Sequence, residues 1–214
     1  MLKYTGKYWA VLAPLIKKSL KKHYGRDFAD RTMKRAKVEY KAMLRRMDDI
    51  GADNPMASNV YMSFIFFAAY RSAKGKITVK ALRAISHEVM RWKPLRLMGV
   101  FIDSNKPGGM KWLYNKIRKD VDWLEKNQQY KAVSWDFNFD SKKHRDGYYY
   151  HFTQCPLNNF ARREGLLEVL PVMCDMDYLT AGLMHATLHR EHTLASGGKV
   201  CDYWYYGDKL KNPK

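Results

Sequence analysis

The hydrophobic pattern divides the chain into a helical first part and a strand-rich second part. Between residues 29 and 47, apolar side chains recur at alternating spacings of four and three, the period of an amphipathic helix. Lysines and arginines occupy its other faces. We therefore predict a helix that buries one stripe and is separated by Gly25 from an earlier helix. The stripe consists of Ala29, Met33, Ala36, Tyr40, Met43 and Met47.

Three further helices are predicted before residue 130. The strongly apolar segment 58–73 indicates a buried helix. Thr78 is a suitable N-cap for a helix that runs through Met90. The cluster of turn-forming residues at 105–109 precedes a helix that bears aromatic residues and ends near Lys126. Residues 1–130 are therefore expected to form a helical region.

The hydrophobic period changes to two after residue 130. Residues 133–139 alternate apolar and polar side chains and predict a half-buried strand. Residues 148–155 predict a second strand, and residues 185–206 predict a terminal hairpin joined at 196–199. The predicted fold class is α+β: a helical N-terminal half, then an antiparallel sheet of about four strands with a crossing helix in residues 131–214. We expect the two parts to pack as one globular unit.

Charge and composition limit the classes of function. The formal net charge is +18, and residues 1–46 hold 14 Lys and Arg against 3 Asp and Glu. This indicates a solvated basic helical face, or a field that attracts a small anionic substrate. No nucleic-acid-binding motif accompanies the charge, so nucleic acid is not the expected partner. No apolar run reaches the length of a membrane span, and we expect a cytoplasmic protein with no membrane partner. The oligomeric state is left open.

The segment from residue 155 to residue 202 is the densest in reactive side chains. It contains all three cysteines, and two of them are followed directly by an aspartate. An odd number of cysteines in a chain of this size indicates free thiols in a reducing compartment. The concentration of thiols and acids in one stretch indicates a site. These residues are Cys155, Cys174, Asp175, Asp177, Cys201 and Asp202.

The phase of the predicted strand at 185–195 brings a cation into this picture. Its apolar residues, Ala186, Leu188 and Leu194, place Arg190 and His192 on the same inward face. A buried arginine needs an anionic partner, and either a substrate carboxylate or an internal acid such as Asp202 would serve. His192 is a candidate proton shuttle, with a structural role as the alternative.

The spacing of these residues resembles that of a known family. The pattern is Cys155-Pro156, Cys174-Asp175-x-Asp177, Arg190-x-x-Thr193-Leu194, Gly197-Gly198 and Cys201-Asp202, with KKHYG, KRAKVEY and IGADNPMASN upstream. It is similar to the bacterial L-2-amino-thiazoline-4-carboxylic acid hydrolase family over nearly the whole chain. The resemblance implies a hydrolase that opens a thiazoline ring to give N-carbamoyl-cysteine. The C-terminal sheet also resembles a small-ligand-binding fold of sensor proteins, so a non-catalytic binding module is the alternative.

Ring opening of this kind requires a nucleophile or an activated water, a carboxylate for the amidinium group, a proton shuttle and a cation for the substrate carboxylate. We assign Cys174 as the nucleophile, with Cys155 as the alternative. Asp175 and Asp177 are assigned to bind the amidinium group or to activate water. A buried, inert thiol is the competing interpretation of each cysteine. The predicted substrate-binding residues are Arg190, His192, Thr193, Cys201, Asp202, Asn54 and Asn59.

No cofactor is expected. The three cysteines lack the close paired spacing of structural zinc sites. If a divalent metal does bind, the Asp and His residues are at least as suitable ligands as the thiols. For Asn54 and Asn59, a turn and an N-cap are the competing roles.

Overall fold

Helices form most of the chain before residue 130. A computed structural model describes residues 2–94, 102–140 and 143–213. Together with the small sheet described below, its helices confirm the α+β fold class. Within the described residues the helices are α1 (Lys7–Tyr24), α2 (Arg26–Arg46), α3 (Ala57–Ser72), α4 (Val79–Met90), α5 (Pro107–Lys126), α6 (Pro156–Arg163) and α7 (Leu170–Leu183).

The predicted helices form, and their burial, breaks and caps are those that the sequence pattern predicts. Every residue of the stripe from Ala29 to Met47 is at most 5 % exposed, because α2 packs this face against α1 and α3. Gly25 lies between α1 and α2 with a φ of 82°, a conformation that glycine adopts without strain. The Thr78 hydroxyl accepts a hydrogen bond from the Ala81 amide at 3.1 Å and caps α4 as predicted.

The sheet has three strands among the described residues, β1 (Tyr148–Phe152), β2 (Ala186–His189) and β3 (Cys201–Gly207). Their order is β1-β3-β2, and both pairs are antiparallel. The predicted terminal hairpin is therefore confirmed. Its connection is longer than expected, since β2 ends at His189 and β3 begins only at Cys201.

The prediction of a strand at 133–139, which would have given the sheet a fourth strand, is wrong. This segment makes a single bridge, between Asn138 and His151. Asp136 explains the difference, because its carboxylate accepts hydrogen bonds from the backbone amides of Thr153 and Gln154 at 2.9 and 2.7 Å. These two amides are thus bonded to a side chain and not to the backbone of a neighbouring strand. The segment therefore runs beside β1 without extending the backbone hydrogen bonds of the sheet.

Helix α7 is the crossing helix that the sequence predicts. It packs against β2 on one side and against α4 on another. Because α7 carries Cys174, Asp175 and Asp177, this packing brings the acidic segment against the sheet. The sheet face toward the core carries Tyr150, Phe152, Leu188, Cys201 and Tyr205, all of which are buried.

A partly buried charge cluster joins α6 to the N-terminal helices. The Glu164 carboxylate, at the end of α6, accepts hydrogen bonds from Arg46 of α2 at 2.9 Å and from Arg71 of α3 at 2.8 Å. The rings of Phe64 and Phe160 pack nearby with centroids 4.2 Å apart. The helix that follows Cys155 is therefore fixed to α2 and α3 by both charge and apolar contact.

Glu164 predicts an acid-sensitive component of stability. Hydrogen bonds from Arg46 and then Arg71 lower the pKa of Glu164 to about 2. Since this pKa is lower in the folded chain, the stabilisation is complete above about pH 4.5 and is lost as the pH falls toward 2. We expect Glu164→Gln to cost about 1.5–3 kcal/mol at neutral pH. Urea denaturation measured across this pH range should show a weaker pH dependence in the variant.

The control for this experiment is Glu125→Gln, which alters an exposed carboxylate on α5. It should leave the free energy of unfolding within about 0.5 kcal/mol of the wild type. An equal loss in both variants would show that the arginine contacts of Glu164 do not stabilise the fold.

The length and apolar character of the helices also bear on membrane insertion. Among residues 2–94, 102–140 and 143–213, no helix combines the length and apolar character that a membrane span requires.

Candidate functional site

Arg190 is the centre of a buried polar cluster between α7 and β3. Its side chain is 1 % exposed, although it lies just beyond the end of β2. One guanidinium nitrogen, Nη2, donates to Asp177 Oδ2 at 2.8 Å. Nη1 donates to the Cys174 carbonyl at 3.3 Å, and Nε donates to the Asp202 carbonyl at 3.1 Å. The predicted inward orientation of Arg190 is confirmed, and its anionic partner in the structure is Asp177.

Two tyrosines enclose this ion pair. The guanidinium carbon of Arg190 lies 4.0 Å from the ring centroid of Tyr203, which is a cation–π contact. The Tyr203 hydroxyl donates to Asp177 Oδ2 at 3.2 Å. Tyr150 stacks on Tyr203 with centroids 4.8 Å apart. Burial raises the pKa of both tyrosines well above its ordinary value, so both remain neutral donors.

Cys174 and Cys201 lie at the edge of this cluster. Burial raises the pKa of Cys174, and the negative charge of Asp177 raises it further, while Arg190 opposes the change. The pKa of Cys201 is raised by burial and lowered by Arg190. All three cysteines are free, as predicted. In this conformation Cys174 and Cys201 are therefore thiols rather than thiolates at neutral pH.

Cys155 has a different environment, at the N-cap of α6. Burial raises its pKa to about 12, but the backbone amides of Asn158 and Leu157 and the indole of Trp135 act in the opposite direction. These N–H dipoles favour a negative sulfur, as helix N-termini generally do. At Cys155 these N–H groups oppose the effect of burial, whereas at Cys174 the Asp177 carboxylate adds to it.

The backbone before Cys155 is held by a residue that the sequence reasoning did not select. Asp136 accepts the amides of Thr153 and Gln154 and also contacts the Thr153 hydroxyl, which fixes the turn from β1 into α6. The sequence did carry a signal, because an aspartate within an otherwise good strand pattern often bonds to backbone amides instead. Tyr150 and Tyr203 were also missed, since their alternating pattern indicated only a strand.

Several predicted site residues lie outside this cluster. Asp175 points to α4, where its Oδ2 accepts a hydrogen bond from Arg83 Nε at 2.6 Å. Asn54 is buried in a turn, where it donates to the Ile50 carbonyl at 2.8 Å. Asn59 lies on the exposed side of α3. Thr193 caps the short 3-10 turn at 194–196 through the Ser196 amide.

The predicted inward orientation of His192 is wrong. Its side chain is 58 % exposed. The cause is Asp202, whose buried carboxylate accepts the backbone amides of Glu191 and His192 at 2.9 and 2.7 Å. The chain therefore leaves the strand phase after Arg190, and Asp202 has a structural role in that turn.

The structure thus brings together Cys174, Cys201, Asp177 and Arg190, with Cys155 near enough to influence the pKa of Cys174. No curated protein matches the chain. A model of the L-2-amino-thiazoline-4-carboxylic acid hydrolase family matches residues 40–205, which include all of these side chains and most of the chain. The match agrees with the resemblance carried by the cysteine and aspartate pattern. The chain belongs to the L-2-amino-thiazoline-4-carboxylic acid hydrolase family.

Proposed function

We propose that this protein hydrolyses a small cyclic amidine or isothiourea that carries a carboxylate, of the 2-aminothiazoline-4-carboxylate type. The observation that carries the proposal is the convergence of thiols, the Asp177 carboxylate and the Arg190 guanidinium where α7 meets β3. The family match supports the hydrolytic class of the reaction.

We favour Cys155 over Cys174 as the nucleophile. The N–H groups at the start of α6 and the Trp135 indole favour a negative charge on the Cys155 sulfur. Asp177 has the opposite effect on Cys174, because a nearby carboxylate disfavours a second negative charge. A cationic amidinium bound beside Cys155 would lower its raised pKa toward the value that a nucleophile needs.

The reaction would then proceed in two balanced steps. The thiol proton of Cys155 passes to an amidine nitrogen, and the sulfur bonds to the amidine carbon. The bond from that carbon to the ring sulfur breaks, and the ring sulfur leaves with the electron pair and takes a proton from a nitrogen of the isothiouronium that forms on Cys155. In the second step, one water adds to the same carbon, its hydroxyl bonding to the carbon and its proton passing to the nitrogen. The bond to the Cys155 sulfur then breaks, and that sulfur leaves with the electron pair and takes the hydroxyl proton. The net change is addition of one water, and N-carbamoyl-cysteine is the product from 2-aminothiazoline-4-carboxylate.

Asp177 is suited to bind the amidinium group. Its Oδ2 atom accepts hydrogen bonds from both Arg190 and Tyr203, which leaves Oδ1 as an acceptor for a ligand. The Asp177 side chain is 39 % exposed, in contrast to the buried Arg190. Arg190 thus acts first as a positioning residue that fixes the Asp177 carboxylate. Its remaining N–H groups are the candidate donors to a substrate carboxylate.

The test is an assay with 2-aminothiazoline-4-carboxylate in water enriched in oxygen-18. We expect release of one thiol per substrate and incorporation of one labelled oxygen into the carbamoyl group, both detected by mass spectrometry. 2-Aminothiazoline, which lacks the carboxylate, is the matched control and should give a lower kcat/KM. Absence of thiol release from every carboxylate-bearing cyclic amidine tested would contradict the proposal.

A non-catalytic binding module is the second candidate. The raised pKa of all three thiols favours it, because protonated cysteines are poor nucleophiles. In that case calorimetry would detect binding of the same amidines, while mass spectrometry would recover them unchanged. The two measurements together separate a hydrolase from a binding protein.

A further inference from the structure

A second group of polar side chains lies near the end of β2, on the other face of β3 from the thiols. Glu191, His192 and Asp202 each place one potential ligand atom so that all three atoms lie within 4.8 Å of one another. We propose that these residues bind a divalent transition-metal cation such as Zn²⁺. This site is distinct from the proposed reaction centre. Successive side chains of β3 point to opposite faces of the sheet, so Asp202 lies on one face and Cys201 and Tyr203 lie on the other.

The backbone builds this cluster around Asp202. The Asp202 side chain is 4 % exposed, and its two oxygens accept the amides of Glu191 and His192. These bonds hold the segment after β2 against β3, so that both side chains begin beside the carboxylate. His192 Nδ1 is 3.9 Å from Asp202 Oδ1. The buried ligand is thus fixed, as a preorganised metal site requires.

The exposed ligands can close around a cation. Zinc bonds to histidine and carboxylate are about 2.0–2.2 Å long, so two ligand atoms on one ion lie about 3–4 Å apart. The side chains of Glu191 and His192 are 57 % and 58 % exposed and can rotate inward by the short distance required. A bound cation would also compensate the charge of the buried Asp202 carboxylate.

Two further histidines, His151 and His189, lie on this face of the sheet. His151 of β1 is the direct cross-strand partner of Asp202, so their side chains share one face of the sheet. Its Nδ1 atom is buried, and no hydrogen-bond partner for it is found within the described part of the chain. His189 Nε2 lies 3.8 Å from Glu191 Oε1. Imidazole and carboxylate ligands together favour zinc, cobalt or nickel over magnesium or calcium.

The experiment uses the untagged full-length chain, freed of metal with a chelator. Zn²⁺ is titrated by calorimetry, and Co²⁺ is titrated by visible absorption. We expect one ion per chain and a cobalt spectrum without a thiolate-to-metal charge-transfer band. Glu191→Gln and His192→Ala should each weaken binding by about tenfold or more. Both residues are exposed, so circular dichroism should show an unchanged fold.

Matched controls are Glu125→Gln and His23→Ala, which remove an exposed carboxylate and an exposed imidazole elsewhere. They should leave the affinity for Zn²⁺ unchanged. A cobalt charge-transfer band that disappears in Cys174→Ser would place the metal at the thiols and overturn the proposal. Unchanged affinity in both Glu191→Gln and His192→Ala would overturn it as well, as would absence of binding by both ions. None of these measurements depends on ring opening, so failure here leaves the proposed reaction untouched.

Discussion

Replacing Cys155 with alanine is expected to lower kcat for ring opening by about 10³-fold or more. Removal of a catalytic nucleophile has effects of this size, because the remaining groups bind the substrate without forming the covalent intermediate. Steady-state thiol release from 2-aminothiazoline-4-carboxylate would measure the loss. Intact mass spectrometry of wild-type protein quenched during turnover should show the substrate attached to Cys155.

Cys174→Ala is the matched comparison for this prediction. It removes a thiol of the same neighbourhood whose pKa is raised by both burial and Asp177. We expect its kcat to remain within about tenfold of the wild type, with KM or stability affected more strongly. The opposite pattern, in which Cys174→Ala is inactive and Cys155→Ala is active, would assign the nucleophile to Cys174, as the sequence alone favoured.

The helical part of the fold could be predicted because its cause is local. The stripe from Ala29 to Met47 is buried as its period requires, and Thr78 caps α4 through its own hydroxyl. The failed strand at 133–139 has a cause that is distant in sequence. Asp136 binds amides 17 and 18 residues later, and the local pattern around Asp136 does not specify which amides it binds.

The candidate site was predictable in its residue types and less so in its pairings. Strand phase correctly placed Arg190 in the interior, because the inward and outward alternation of side chains continues for one residue beyond the end of β2. It failed two residues later, at His192, where Asp202 captures the backbone amides. The choice of Asp177 as the partner of Arg190 depends on how α7 crosses the sheet, and the sequence does not encode that crossing in any local pattern.

The environment of Cys155 shows the same limit. Its position before Pro156 indicates a helix start, since proline is favoured in the first turn of a helix. The contribution of Trp135 comes from a segment 20 residues upstream, where its neighbour Asp136 binds the Thr153 and Gln154 amides. Tertiary packing therefore decides which charges and N–H groups surround each cysteine sulfur.

Asp177→Ala is expected to cost about 3–5 kcal/mol in the free energy of unfolding. The reason is an asymmetry in the ion pair, since Arg190 is 1 % exposed and Asp177 is 39 % exposed. Loss of the carboxylate leaves a buried guanidinium charge whose remaining contacts among the described residues are two carbonyl oxygens and the rings of Tyr178 and Tyr203. Urea denaturation monitored by tryptophan fluorescence would measure the change.

The double variant Arg190→Met/Asp177→Ala tests this cause directly. Removal of both charges takes the Arg190 donors away from the Cys174 and Asp202 carbonyls, but it also removes the unpaired guanidinium. We therefore expect the double variant to lose less stability than the sum of its single variants.

Asp175→Ala is the control on the same helix. Asp175 also binds an arginine, Arg83, at 2.6 Å, but the two side chains are 34 % and 43 % exposed. Water replaces an exposed partner, so this variant should lose only about 0–1 kcal/mol. Equal losses in Asp175→Ala and Asp177→Ala would mean that burial of Arg190 does not determine the strength of the pair. A loss confined to Asp177→Ala would identify the Arg190 pair as the contact that holds α7 against β3, and with it Cys174 beside Asp177.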